Sequence, residues 1–134
     1  MPHGLRILLV EDETSVRLMV GRMLRSIGSD IIPAADGREA WRLYATRERP
    51  YDLVISDVVM PILDGGELAA RILNENPEQA IILMSAMPRE TLADQLSPLP
   101  QLPFLTKPFG VEQLVAVIAR TQIPGAVSRG PLPA

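Results

Sequence analysis

"YDLVISDVVMP", residues 51–61, decides how this chain is read. Leu53, Val54 and Ile55 lead into Asp57, Val58, Val59 and Met60 lead out of it, and Pro61 ends the run. A short unbroken apolar run stopped by a turn residue marks a strand covered on both faces. A bare carboxylate in such a strand is costly unless it is compensated. Asp57 therefore either sits where the strand meets water, as a cap or turn residue, or is held in an apolar frame for its chemistry.

Four further runs have the same character: "RILLV" (6–10), "DIIPA" (30–34), "AIILMS" (80–85) and "PFLT" (103–106). The stretches between them have helical spacing. Residues 14–27 place Val16, Met19, Val20, Met23, Leu24 and Ile27 on one face, and Gly28 supplies the stop. "GREAWRLYATRER" (37–49), "DGGELAARILNEN" (64–76) and "GVEQLVAVIARTQ" (110–122) repeat the pattern, with Asp36 and Asp64 as N-caps. Trp41 and Tyr44 fall at the core or rim of the second of these helices. A shorter helix is predicted over "PRETLADQL" (88–96), with Pro88 in its first turn. Strand and helix thus alternate five times. This predicts an α/β domain with a doubly wound, five-stranded parallel sheet and right-handed crossovers. Residues 1–122 form that domain. "IPGAVSRGPLPA" (123–134), rich in Pro and Gly and without periodicity, is expected to be a flexible tail or linker remnant.

The 134 residues are one domain's worth of chain, enough to bury about two-thirds of its unfolded surface. The absence of cysteine rules out disulfides, thiolate metal sites and a cysteine nucleophile, and fits a cytoplasmic protein. The N-terminal apolar run is too short for a signal peptide and no later run approaches a membrane span, so no membrane association is expected. With 13 basic against 16 acidic residues there is no basic footprint, and direct nucleic-acid binding is not expected. Neither G-x-G-x-x-G nor G-x-x-x-x-G-K-[ST] occurs, which speaks against a nucleotide-dependent enzyme.

In a doubly wound sheet ligands gather at the carboxyl ends of the strands. Those ends carry Glu11, Asp12 and Glu13 after the first strand, Asp57 at the third, Ser85 at the fourth and Lys107 at the fifth. Clustered carboxylates repel one another, and a hard divalent cation such as Mg²⁺ removes the conflict while leaving sites for phosphate oxygens. A hydroxyl and an ammonium beside them suit phosphoryl transfer, with Asp57 as the nucleophile that becomes an acyl phosphate. Taken singly, each residue has a plainer reading. The acids at 11–13 suit the N-terminus of a helix, Asp57 a cap, Ser85 a turn, Lys107 a solvated strand end and Phe104 the core. Caps do not require a hydroxyl and a lysine on neighbouring strands, so the joint pattern favours chemistry. A lone His3 near the terminus carries no argument of its own.

"LLVEDE" (8–13), "DLVISDVVMPILDG" (52–65), "ILMSA" (82–86) and "FLTKPF" (104–109), in this order, resemble the receiver domain of bacterial two-component response regulators over roughly residues 5–121. The resemblance implies a flavodoxin-like strand order 2-1-3-4-5. It implies that Glu11, Asp12 and Asp57 hold Mg²⁺ together with the backbone carbonyl of Val59, and that Asp57 takes a phosphoryl group from a phosphohistidine. It also makes Ser85 the switch hydroxyl, Lys107 the salt-bridging cation and Phe104 the aromatic that turns inward. The Lys107–Pro108 bond is expected to be cis, and Gly65 to permit the turn into the third helix. The implied partner is a histidine kinase or histidine phosphotransfer protein, and a homodimer is compatible with the family. "SDVVMP" and "LPFLTKPF" look most like receivers fused to hybrid histidine kinases. The competing reading is a pseudo-receiver that keeps the fold and binds partners without phosphorylation.

The chain departs from the family at "SPLPQLP" (97–103), whose three prolines predict a short fourth helix followed by a stiff loop. Val59 and Met87, two positions after Asp57 and Ser85, cannot orient an attacking water but can screen one, which predicts slow self-dephosphorylation.

Overall fold

The computed structural model describes residues 4–97 and 99–124. Strand and helix alternate as β1 (Arg6–Val10), α1 (Thr14–Ser26), β2 (Asp30–Ala34), α2 (Gly37–Ala45), β3 (Leu53–Asp57), α3 (Gly65–Glu75), β4 (Ile81–Ser85), a 3-10 turn (Arg89–Leu92), α4 (Ala93–Leu96), β5 (Phe104–Thr106) and α5 (Val111–Arg120). The sheet is parallel throughout, in the order β2-β1-β3-β4-β5. The fold is the flavodoxin-like one that the sequence predicts.

Strand alternation feeds two cores. Ile7, Leu9, Ile55 and Ile82 point to the face covered by Val20 and Leu24 of α1 and by Leu114, Val117 and Ile118 of α5. Leu8, Val10, Val54 and Leu83 point to the face covered by Ala40 and Tyr44 of α2 and by Leu68 and Ile72 of α3. Each fully buried aliphatic side chain contributes about 1.5–3 kcal/mol. The central strands β3 and β4 are buried along their whole length, which is why their sequences do not alternate. Pro33 is tolerated because β2 lies at the sheet edge.

Local signals are borne out at the helix ends. The Asp36 carboxylate accepts from the Glu39 N–H at 2.8 Å, and Asp64 from the Glu67 N–H at 2.8 Å. Gly28 has φ +87, and the bonds Gly28 N–H to Arg25 carbonyl and Ser29 N–H to Leu24 carbonyl close α1 as a Schellman motif. Lys107–Pro108 is cis.

Four details differ from the sequence expectation. Met19 is 43% exposed, because the buried stripe of α1 is narrower than predicted and centres on Val20 and Leu24. α2 stops at Ala45 rather than 49, where the Thr46 hydroxyl takes the Arg42 carbonyl and the Arg47 guanidinium takes the Tyr44 carbonyl. The fourth helix is short, as the sequence predicts, but its first half is a 3-10 turn in place of α-helix. Ile123, expected in the tail, packs into the first core cluster. His3, Pro98 and residues 125–134 of the expected tail lie outside the described residues.

Candidate functional site

Strand register brings the polar residues together. Val10 pairs with Ser56, so Glu11 leaves β1 beside Asp57, the last residue of β3. Asp57 pairs with Met84, so Ser85 ends β4 one step further on, and Ser85 pairs with Thr106, so Lys107 leaves β5 at the same edge. The chain runs outward from β1 to β2 and returns to β3 on the opposite side of β1. The acids therefore stand at the point where strand order reverses.

Asp57 is 7% exposed, and its backbone is enclosed. Val58 N–H donates to the Met84 carbonyl at 2.9 Å, Gly65 N–H to the Val58 carbonyl at 2.7 Å, and the Ser56 hydroxyl to the Asp57 carbonyl at 2.9 Å. The role of Gly65 differs from the expected one. Its φ is not positive, but a Cβ there would lie 2.1 Å from the Asp57 carbonyl oxygen, so glycine is needed for close approach and not for a turn.

Glu11 is the most fixed of the acids, at 1% exposure. One carboxylate oxygen accepts from the Glu13 N–H at 3.1 Å and the other from Lys107 Nζ at 2.5 Å, while its carbonyl accepts from the Arg17 guanidinium at 2.7 Å. Lys107 Nζ also stands 3.3 Å from Asp57 Oδ2, so the ammonium is shared between two carboxylates. Burial disfavours the charge on Lys107, yet the hydrogen bond to Glu11 and the nearby charges of Asp57 and Glu11 outweigh it and hold the ammonium above its ordinary value. For Asp57, burial and then the charge of Glu11 push the carboxyl up to about 6, against the pull of Lys107.

Asp12 is exposed, and carboxylate oxygens of Glu11, Asp12 and Asp57 lie within 4.8 Å of one another. Three carboxylates against one ammonium leave two negative charges in a cluster of hard oxygen donors. That donor set fits Mg²⁺ or a similar divalent ion.

Ser85 is buried, and its hydroxyl accepts from the Met87 N–H at 3.1 Å. Phe104 is half-buried against the second core cluster beneath the guanidinium of Arg89, whose carbon lies 5.1 Å from the ring centre. Val59 and Met87 are exposed, at 46% and 37%. Thus Glu11, Asp12, Asp57 and Lys107 form one cluster, with Ser85 at the end of the neighbouring strand and Phe104 at the start of β5. Sequence reasoning missed Arg17 and Arg89, because an arginine in a helix or loop reads as a solvated charge until its acceptor is known.

Fold and site define an α/β domain with an acidic, lysine-bridged pocket at its topological switch point. Residues 7–119 match the response regulator receiver domain, and the chain belongs to this family, the receivers of two-component signalling. It is 36% identical over 112 residues to the sensor kinase CckA of Brucella abortus, a match covering 84% of this chain and 12% of that kinase. It is 28% identical, with a TM-score of 0.79, to the receiver domain of a sensor histidine kinase of Pseudomonas aeruginosa with magnesium coordinated in its active site cleft, covering 87% and 96% of the two chains. It is 30% identical, with a TM-score of 0.73, to the response regulator TrrA of Thermotoga maritima in complex with Mg²⁺ and beryllium fluoride, covering 86% and 96%. No helix among the described residues is long and apolar enough to cross a membrane.

Proposed function

We propose that the chain is a phosphorylation-controlled switch that takes up and slowly loses a phosphoryl group on Asp57 and carries out no other chemistry. The observation that carries this reading is the shared ammonium: Lys107 bridges Glu11 and Asp57 in a pocket whose acids form a divalent-ion donor set. Glu11, Asp12 and Asp57, with the Val59 carbonyl, would hold Mg²⁺. The ion supplies charge neutralisation for the phosphoryl oxygens when bound.

An Asp57 oxygen forms the new bond to phosphorus as the phosphorus–nitrogen bond of a donor phosphohistidine breaks, and the electron pair stays on the imidazole. Lys107 neutralises one phosphoryl oxygen and the Ser85 hydroxyl donates to another. Phe104 then turns toward the space that Ser85 leaves, which changes the surface offered to partners. The donor is a histidine kinase or histidine phosphotransfer protein, and the setting is the cytoplasm. Val59 and Met87, two positions after Asp57 and Ser85, carry exposed apolar side chains that cannot orient an attacking water, so hydrolysis of the acyl phosphate is slow. A phospho-form that decays within seconds would contradict that part of the reading.

Intact-mass measurement after incubation with Mg²⁺ and a small-molecule phosphodonor tests the proposal. One added phosphoryl group is expected, absent in Asp57→Asn and in chelator. An Asp57→Asn variant that gains the same mass overturns the assignment, and no adduct in either protein would favour a pseudo-receiver.

A further inference from the structure

The least explained polar contact near the site is made by Arg89. Its guanidinium carbon lies 5.1 Å from the centre of the Phe104 ring, and its Nη2 donates to the Leu102 carbonyl at 2.5 Å. One side chain thus joins three places: the loop that begins at Ser85 four residues earlier, the proline-rich stretch before β5, and the aromatic that opens β5.

The anchor side of this contact is stiff. Leu102 precedes Pro103, which confines its backbone, and the Pro103 carbonyl accepts from the Leu83 N–H of β4 at 2.9 Å. The opposite side is the loop that must move. The Ser85 hydroxyl accepts from the Met87 N–H while its own proton stays free to donate, so moving that oxygen toward a phosphoryl group on Asp57 stretches the bond to Met87 unless the 86–89 segment follows. Leu102 cannot follow, because it is tied to β4 through its neighbour. A segment that follows Ser85 draws Arg89 away from the Leu102 carbonyl, the Phe104 ring, or both. A Phe104 ring that leaves its half-buried position gives up the guanidinium on its face.

We propose that Arg89 is a positioning residue, a latch that holds Phe104 in its unswitched place and opposes phosphoryl binding at Asp57. The inference rests on the phospho-acceptor reading above and adds the element that sets its threshold. Coupling between two sites is reciprocal: whatever a phosphoryl mimic does to the latch, loss of the latch does to the mimic's affinity by the same factor. Loss of one of these two contacts corresponds to roughly a threefold to tenfold change in an equilibrium constant.

The test is calorimetric titration of the Mg²⁺-saturated protein with beryllofluoride, a phosphoryl mimic, in wild type, Arg89→Ala and Arg89→Lys. Arg89→Ala is expected to bind about threefold to tenfold more tightly, and Arg89→Lys to fall between, since it keeps a charge over the ring and loses the planar fork. In a Phe104→Leu background Arg89→Ala should change affinity much less. Equal or weaker binding by a folded Arg89→Ala protein overturns the latch. Fluorine NMR separates this from failure of the wider reading. The chain has two phenylalanines, Phe104 and Phe109, so fluorophenylalanine labelling gives two resonances. On saturation the Phe104 signal should shift, and should already lie partway along that shift in free Arg89→Ala. Binding with no movement of the Phe104 signal overturns the latch and leaves the acceptor site standing. No binding by the wild type removes the acceptor site and the latch together.

Discussion

The two halves of the strand-end edge are built differently. On the β1/β3 side the strands are five residues long and almost wholly buried, both Glu11 carboxylate oxygens are occupied, and the Asp57 carbonyl lies against Gly65 with no room for a side chain. On the β4/β5 side β5 has three residues, only one of them buried, and α4 is a single turn that meets a proline-rich loop. The half that carries Asp57 is held by the backbone of central strands. On the other half Ser85 ends the fully buried strand β4, but Arg89 and Phe104 beyond it are held by side-chain contacts and a short strand. A nucleophile needs precise aim, whereas an element that reports on it must have a second place to go.

Two adjacent glycines test that contrast most severely. A Cβ on Gly65 would meet the Asp57 carbonyl at 2.1 Å, and a Cβ on Gly66 would meet the Gln95 carbonyl of α4 at the same 2.1 Å. Equal overlap against unequal neighbours should give unequal costs. Gly65→Ala is expected to lose about 3 kcal/mol in urea unfolding, and Gly66→Ala about 1 kcal/mol, as one turn of helix moves aside. Equal losses would mean that the two halves are equally rigid.

The proton affinity of Asp57 gives the next largest effect. With its carboxyl at about 6 in the folded protein against about 4 in an unfolded chain, the native state holds a proton that the unfolded state has released between those values. The resulting stabilisation is fully present below about pH 4 and is lost as pH rises through about 6. Comparing metal-free wild type with Asp57→Asn, the wild type should lose ~1–3 kcal/mol of relative stability across that window and none above pH 7. A flat difference would show that the pocket does not crowd Asp57. Millimolar Mg²⁺ at neutral pH should return much of the loss.

The smallest effect concerns the rim of the rigid half. Ile62 has φ +71 and is 74% exposed, so a β-branched residue is strained with little burial in return. Ile62→Asn is expected to raise the unfolding free energy by about 0.5–1 kcal/mol. A destabilised variant would mean that the isoleucine packs usefully after all.

The sequence made the rigid half legible because burial on both faces leaves unbroken apolar runs, and a carboxylate at the end of one is conspicuous. Asp57, Glu11 and Lys107 were readable as a set for that reason. What the runs could not convey is how Lys107 divides its charge between Glu11 and Asp57, since that depends on side-chain reach across β1, β3 and β5. The need for glycine at 65 was readable, but its cause was not, because a close approach between α3 and β3 leaves no local pattern. Met19 was misplaced because apolar spacing on a helix says nothing about how wide a stripe the sheet will cover. Arg89 was invisible, because its ring and its carbonyl lie 13 to 15 positions away across a loop.

The most direct measurement is to phosphorylate the protein with a small-molecule donor and Mg²⁺, reduce it with borohydride, and map the product by peptide mass. Reduction of an aspartyl phosphate leaves homoserine at that position. The account predicts homoserine at position 57 and at no other. Stable phosphate on Ser85, or homoserine at Glu11's neighbour Asp12 with Asp57 unchanged, would contradict it.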